Sequence, residues 1–404
     1  MPSTDPLRVL LFRHPADTKV EPFAEAIDHA FRGGRESRGY LDASDEDMKV
    51  QFQAFSAAPL NPVPDALAGF CHTLAIVLVD RAFLDGSDDA LWNWLADCWR
   101  HVDQSKGKHG MLVVTMEEGQ VREFSTKRPE LATLQVRPAQ QLGEFSVRPT
   151  MLALRALHEA RRLLASGLPT VAGQQPGYMR IFISHAKIDG LPLAQALKHH
   201  IATIHWLRSF YDAEDLADGE NWQRGLEEGV GTSIIVMLRT DVYDSRDWCQ
   251  QEVRWADEYA TPAVLVDART SLTYPASALP FDRVPTVRIP DGNLLRVLFL
   301  ALREGLRFLL FARYVEEMKD AGEIPKPHEL RVFSITPSMP ALLRACNSLA
   351  DPAVSGVPNR YILYPDPPFR SGVLEAAEAL VATAAPGVRL ATPLTLAATE
   401  NRAP

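Results

Sequence analysis

The sequence predicts an α/β protein built on mostly parallel sheets. Short β-branched runs alternate with longer amphipathic segments along almost the whole chain, the signature of βαβ units. Polar turns bearing Gly, Pro or Asp punctuate them. A length of 404 residues, 46% of them hydrophobic, allows two or three domains, each with a core of its own.

In chain order, residues 7–12 (Leu-Arg-Val-Leu-Leu-Phe) read as an opening strand and 21–31 as a helix. The acidic run 42–47 reads as an exposed loop, 73–79 as a buried strand and 88–100 as a helix. A linker is predicted at 167–177, where Pro169, Gly173 and Pro176 cluster. The middle block shows the alternation best. Strands are predicted at 180–184, 208–211, 233–238, 263–266 and 286–289, and helices at 191–203, 222–230, 248–259 and 293–318. A polar loop, 212–221, follows the second of those strands, and a second linker is placed at 321–327. The last block has strands at 330–335, 360–364 and 388–391 separated by two helices, with the tail past Thr395 expected to lose structure. At about 75 residues it is small for a doubly wound domain and is expected to pack on its neighbours or on another copy.

The first and middle blocks look alike. At a constant offset Thr73 matches Thr232, Ile76 matches Ile235, Val77 matches Val236, Asp85 matches Asp244 and Asp88 matches Asp247. Both end similarly, with Leu152-Ala-Leu-Arg155 in one and Leu300-Ala-Leu-Arg303 in the other. The shared order and endings favour an internal duplication. In that alignment Asn93 stands where Glu252 stands, so the first copy lacks the carboxylate.

Composition excludes several function classes. A formal charge of −9 argues against direct nucleic-acid binding, which needs a basic surface. Cys71, Cys98, Cys249 and Cys346 form no CxxC pair, which speaks against the common zinc patterns and for reduced thiols in a cytoplasm. The start of the chain has no secretory pattern. The most apolar stretch, 294–311, carries Arg296, Arg303, Glu304 and Arg307, each costing roughly 2.5–3.5 kcal/mol at a bilayer centre. An amphipathic helix is the better reading, and the expectation is a soluble, cytoplasmic protein without a membrane partner. Lys198-His-His200 and His205 lack a carboxylate or thiol at ligand spacing, so no metal is expected. Gly225, Gly229 and Gly231 match neither a dinucleotide fingerprint nor a P-loop.

In an open parallel sheet, ligands settle beyond the carboxyl ends of the strands. Ser184 and His185, the loop 212–221 and residues 241–247 all follow strands, so they converge at that edge. Glu252 lies in the first turns of a helix leaving it. Trp248, Trp255 and Ala256 give this helix an apolar side on which Glu252 is partly sheltered.

Three segments of the middle block carry a family resemblance. They are Ile181-Phe-Ile-Ser-His-Ala186, Phe210-Tyr-Asp-Ala-Glu-Asp-Leu-Ala-Asp-Gly-Glu-Asn-Trp222 and Ser245-Arg-Asp-Trp-Cys-Gln-Gln-Glu252. In order and spacing they resemble the first strand, the second strand with its BB loop, and the Ser/Trp-Cys-x-x-Glu signature of bacterial TIR (Toll/interleukin-1 receptor) domains of the NAD-hydrolysing type. The resemblance covers roughly 140 residues and implies a central, flavodoxin-like TIR domain over 176–318. A degenerate TIR-like α/β domain over 1–168 would precede it, and a small Rossmann-like α/β domain over 328–404 would follow.

The resemblance also implies an activity: NAD⁺ glycohydrolase or cyclase chemistry with Glu252 as the catalytic residue. Phe182, Ser184, His185, Asp215, Trp222, Ser245, Trp248 and Cys249 would then bind the substrate. Cys249 reads as a small buried side chain rather than a nucleophile. NAD⁺ would be the substrate, and neither a cofactor nor a metal is needed. The resemblance further implies self-association through TIR domains and a role in prokaryotic anti-phage immunity, with the flanking blocks open to an activating ligand or partner. The alternatives are a non-catalytic TIR adaptor signalling by homotypic binding and a nucleoside or nucleotide N-glycosidase.

Overall fold

The computed structural model describes residues 6–16, 18–32, 48, 50–59, 63, 72–166, 179–204, 206–210, 222–271, 284–288, 293–324, 326–350 and 357–400. The acidic run 42–47, the linker 167–177, the loop 212–221 and Cys71 lie outside them. The chain divides into two compact units, Met1–Pro176 and Gly177–Pro404. The α/β class predicted from the sequence is the one observed.

The first unit runs β1 (Leu7–Phe12), α1 (Glu21–Arg32), β2 (Gln51–Phe55), β3 (His72–Val79), α2 (Arg81–Gly86), α3 (Asp89–Gln104), β4 (His109–Thr115), α4 (Gly119–Lys127), β5 (Val136–Pro138) and α5 (Arg148–Ala165). Its strands are all parallel, in the order β2-β1-β3-β4-β5. All eight residues of β3 are buried, as a strand covered by helices on both faces must be. The sequence pattern misses β2, β4, α2 and α4. Asp80 caps α2 by accepting from the Phe83 N–H at 2.7 Å, and Asp88 caps α3 by accepting from the Leu91 N–H at 2.8 Å.

The second unit opens with β6 (Met179–His185), α6 (Leu191–Ala202), β7 (Leu207–Phe210), α7 (Trp222–Gly231), β8 (Ile234–Arg239), α8 (Asp247–Glu258), β9 (Ala263–Asp267), β10 (Thr286–Arg288) and α9 (Leu294–Asp320). The sheet order is β10-β9-β8-β6-β7, again all parallel. Read from its other edge, this is the second, first, third, fourth and fifth strand, the same order as in the first unit. That is the flavodoxin-like arrangement, whose switch point lies between the first and third strands.

A third sheet completes the second unit: β11 (His328–Val332), α10 (Met339–Leu349), β12 (Asn359–Leu363), α11 (Ser371–Ala384), β13 (Val388–Ala391) and α12 (Pro393–Glu400), with strands in simple order. The tail is a correction: the chain is helical through Glu400, and Leu396 is buried against Tyr361 and Leu363. An apolar contact of this kind offsets the entropy of ordering a chain end.

Helix α9 joins the two sheets of this unit. Its first half packs on β8 and β9, where a Cβ at Gly305 would press on the Ile234 side chain, so glycine gives helix and strand room to approach. Its second half places Val315 and Met318 against Tyr361 and Leu363. The helix ends in a Schellman motif: Glu323 N–H donates to Met318 O at 2.9 Å and Gly322 N–H to Lys319 O at 3.2 Å, with Gly322 at φ +74°. The third sheet also grips the end of α8. Ser338 donates to Asp257, Arg344 pairs with Glu258, and Ala260 lies in the core formed by Phe333, Ala341 and Leu342. Among the described residues no helix is long and apolar enough to cross a membrane.

Candidate active site

The switch point of the second unit lies between β6 and β8, and three loops are fastened there. The turn after β6 carries Asp189, whose carboxylate accepts from Thr240 Oγ1 at 2.7 Å and from the Val242 N–H at 3.1 Å. This ties the β6 turn to the loop leaving β8. Asp241 in that loop accepts from the Thr270 and Ser271 N–H groups at 2.9 and 3.1 Å, which ties it to the loop after β9. Those hydrogen bonds, Thr270's side chain first, hold the Asp241 carboxyl below its ordinary range. Arg239 clamps Asp244 with two bonds of 3.0 and 3.1 Å from Nε. Gln250 of α8 donates to Asp244 O at 2.7 Å. These bonds tie the described loops of this edge to one another.

Helix α8 starts from this frame. It buries Cys249, Glu252, Val253, Trp255 and Ala256 on one side, the 3.6-residue stripe expected of a helix lying on a sheet. Glu252 is 9% exposed, unusual for a glutamate unless it is partnered. It is partnered. Ser184, the sixth residue of β6, donates from Oγ to Glu252 Oε2 at 2.5 Å, and Tyr243 OH lies 2.5 Å from the same Ser184 Oγ. Tyr243 sits in a single 3₁₀ turn, Tyr243–Ser245, and is fully buried. Burial, then the Glu252 carboxylate and Cys249, push its hydroxyl far above the ordinary tyrosine range, so it keeps its proton.

The other anticipated residues fall into distinct places. Phe182, two residues before Ser184 on the same strand face, is 1% exposed, in the core with Leu226, Ile235, Met237 and Val253. It lies under α8 instead of at the pocket edge. Cys249 is likewise in that core, and burial followed by the Glu252 charge raises its thiol, so it carries no thiolate character. Ser184 is 1% exposed, behind Glu252 and away from the surface. His185 is buried at the strand end, with Nδ1 3.5 Å from Ile183 O. Ser245 is exposed and turns its hydroxyl back to Val242 O at 2.7 Å, closing its own turn.

Trp248 corrects the expected apolar side of α8: it is 43% exposed, because as the second residue of the helix it points off the sheet. Ile188 and Leu191, in the turn after β6 and at the start of α6, are exposed too. All three stand on the turn and helices that begin at this edge of the sheet. Trp222 opens α7, and Asp215 lies outside the described residues. Sequence reasoning missed Tyr243 and Asp189. Tyr243 lay within 241–247, already placed at a strand end, whereas Asp189 lay past the segments singled out.

The first unit shows what stands at these positions without the carboxylate. The sixth residue of β1 is Phe12 and the sixth of α3 is Trp94, where the second unit has Ser184 and Glu252. Their rings lie 5.1 Å apart, tilted at 41°. Asn93, matched to Glu252 at a constant offset, is instead exposed on the opposite side of α3. The segment between third strand and helix is nine residues in the first unit (80–88) and seven in the second (240–246), so one offset cannot serve both elements.

Among the described residues no cluster of His, Cys, Asp or Glu could hold a metal ion. The family model of the TIR domain matches residues 181–280, from β6 past β9. No curated protein matches the chain.

Proposed function

With a TIR domain at residues 181–280 as the premise, we propose that this protein cleaves the nicotinamide–ribose bond of NAD⁺, as a glycohydrolase or cyclase, with Glu252 as the catalytic residue. The observation that carries the reading is a buried carboxylate at the switch point of a parallel sheet, bonded by the Ser184 hydroxyl that Tyr243 backs, with Trp248, Ile188 and Leu191 exposed on the elements of that edge. Breaking this bond builds positive charge on the ribosyl carbon, as in glycoside hydrolysis. A preorganised carboxylate of low water exposure stabilises that charge more strongly than one in bulk water. Nicotinamide leaves as a neutral pyridine, so no general acid is needed for the leaving group, and a single Glu suffices. Water attacking the ribosyl carbon gives ADP-ribose; the adenine of the same molecule gives a cyclic product.

These exposed apolar side chains favour completion of the site by a second copy, which makes the enzyme assembly-activated. An effector role in prokaryotic anti-phage immunity, inside the cytoplasm, is part of the same proposal. The test is nicotinamide release by dilute and concentrated full-length protein, beside Glu252→Ala. Release that appears on concentration and vanishes in a folded Glu252→Ala supports the reading. Equal release by that variant removes Glu252 from the chemistry. Silence at all concentrations, with no NAD⁺ binding by calorimetry, leaves the adaptor reading.

A further inference from the structure

Resting on the role of Glu252 above, we infer that Tyr243 and Ser184 form a hydroxyl relay that positions the Glu252 side chain and favours its charged form. Ser184 has a single hydroxyl proton, and an ionised carboxylate only accepts hydrogen bonds. With Ser184 Oγ 2.5 Å from Glu252 Oε2, that proton points at the carboxylate. The contact between Ser184 Oγ and Tyr243 OH, also 2.5 Å, must then use the tyrosine proton. With Glu252 ionised, Tyr243 donates to Ser184, and Ser184 donates to Glu252.

Both hydroxyls are inaccessible, at 0% and 1% exposure, so neither touches a substrate in this arrangement. They act through Glu252 and are positioning residues. Their own positions are set from three sides. Ser184 is held in the β6–β8 ladder opposite Met237. The turn bearing Tyr243 is pinned by Asp189 on the Val242 N–H, by Ser245 on Val242 O, and by the Arg246 N–H donating to Tyr243 O at 3.1 Å. In a water-poor environment, a donor that is itself hydrogen-bonded is polarised and donates more strongly. Hydrogen bonds to the charged form favour that form. The relay therefore fixes one oxygen of the carboxylate and offsets part of the cost of burying its charge.

Two isosteric deletions test this: Tyr243→Phe and Ser184→Ala, with the double variant. Nicotinamide release from NAD⁺ is measured across pH, and thermal melts confirm folding. Because one partner is charged, loss of Ser184 should lower kcat about twentyfold, and loss of the neutral Tyr243 donor about fivefold. KM should stay within about twofold, since neither group meets substrate. The acid limb of the kcat profile should move to higher pH in both, because removing a donor favours the protonated carboxyl. The decisive feature is coupling. In the Ser184→Ala background, Tyr243→Phe should cost nothing further, whereas independent packing roles would multiply. An unmoved acid limb or multiplicative losses would overturn the relay.

A second readout does not depend on turnover. In protein ¹³C-labelled at glutamate carboxyls, the Glu252 resonance, identified by its absence in Glu252→Gln, should titrate at higher pH in both variants than in wild type. If wild type releases no nicotinamide, the function proposed above fails and this titration still decides the relay. An unchanged titration would sink it.

Discussion

In the first unit, Phe12 of the opening strand lies against Trp94 of helix α3; in the second, Ser184 lies against Glu252 of helix α8. The strand order around both pairs is the same, and each member is the sixth residue of its element. The fold therefore needs a contact here but does not dictate its chemistry. An aromatic pair gains from burial and adds about 0.5–1.5 kcal/mol from ring geometry. A buried carboxylate brings a desolvation penalty that its hydrogen bonds only offset. The second unit carries the more costly solution, which fits the catalytic role proposed for Glu252.

The sharpest way to break the comparison is Trp94→Ala. If Phe12 and Trp94 are pure core, the first unit should lose about 3–5 kcal/mol, read as a shifted urea midpoint for that unit. A loss below about 1 kcal/mol would mean that the aromatic pair is not what holds the first sheet to α3.

Acid should separate the units next. His158 in α5 is 3% exposed, and burial lowers its imidazole to about 4. The unfolded chain takes up this proton near the ordinary value of 6.5, while the folded chain resists it until about 4. Stability from this group is thus complete above pH 6.5 and is lost as pH falls through that window, by about 2–3 kcal/mol. Urea midpoints between pH 7 and 4 should fall for the first unit, and His158→Gln should flatten the slope. An equal slope in the variant would assign the acid sensitivity elsewhere.

The smallest effect is expected on making the second unit resemble the first. Ser184→Ala, Tyr243→Phe and Glu252→Leu together remove the buried charge and both hydroxyls behind it. That exchange should be neutral or stabilising, by about 1 kcal/mol, in urea titration. A loss of several kcal/mol would show that the polar pair is structural, and the contrast between the units would lose its functional meaning.

Much of the fold was legible because helices and strands announce themselves by period. In the middle block every predicted strand and helix exists, with ends within about two residues, the usual uncertainty of helix and strand ends. In the first block β2 escaped: Gln51–Phe55 is an edge strand with no buried residue, so it carries little apolar signal. The carboxylate's counterpart was misread for a geometric reason. Successive side chains on a helix of 3.6 residues per turn point about 100° apart, so an offset wrong by one residue can exchange core for solvent. A constant offset across loops of unequal length made that error and chose Asn93 over Trp94. Glu252 itself was legible from its local signature. Ser184 was singled out too, but not as the partner of Glu252, and Tyr243 not at all, since Ser184 and Tyr243 are separated by 59 residues and meet only because β6 and β8 are neighbours. Topology, not local pattern, assembles this site.

The proposed chemistry turns on Glu252, and the most direct measurement is nicotinamide released from NAD⁺ by concentrated full-length protein, wild type beside Glu252→Gln. The substitution keeps the shape and removes the charge. Release by wild type and a loss of about a hundredfold or more in a variant with an unshifted urea midpoint is the predicted result. Comparable release by the two would contradict it and return Glu252 to the role that Trp94 plays in the first unit.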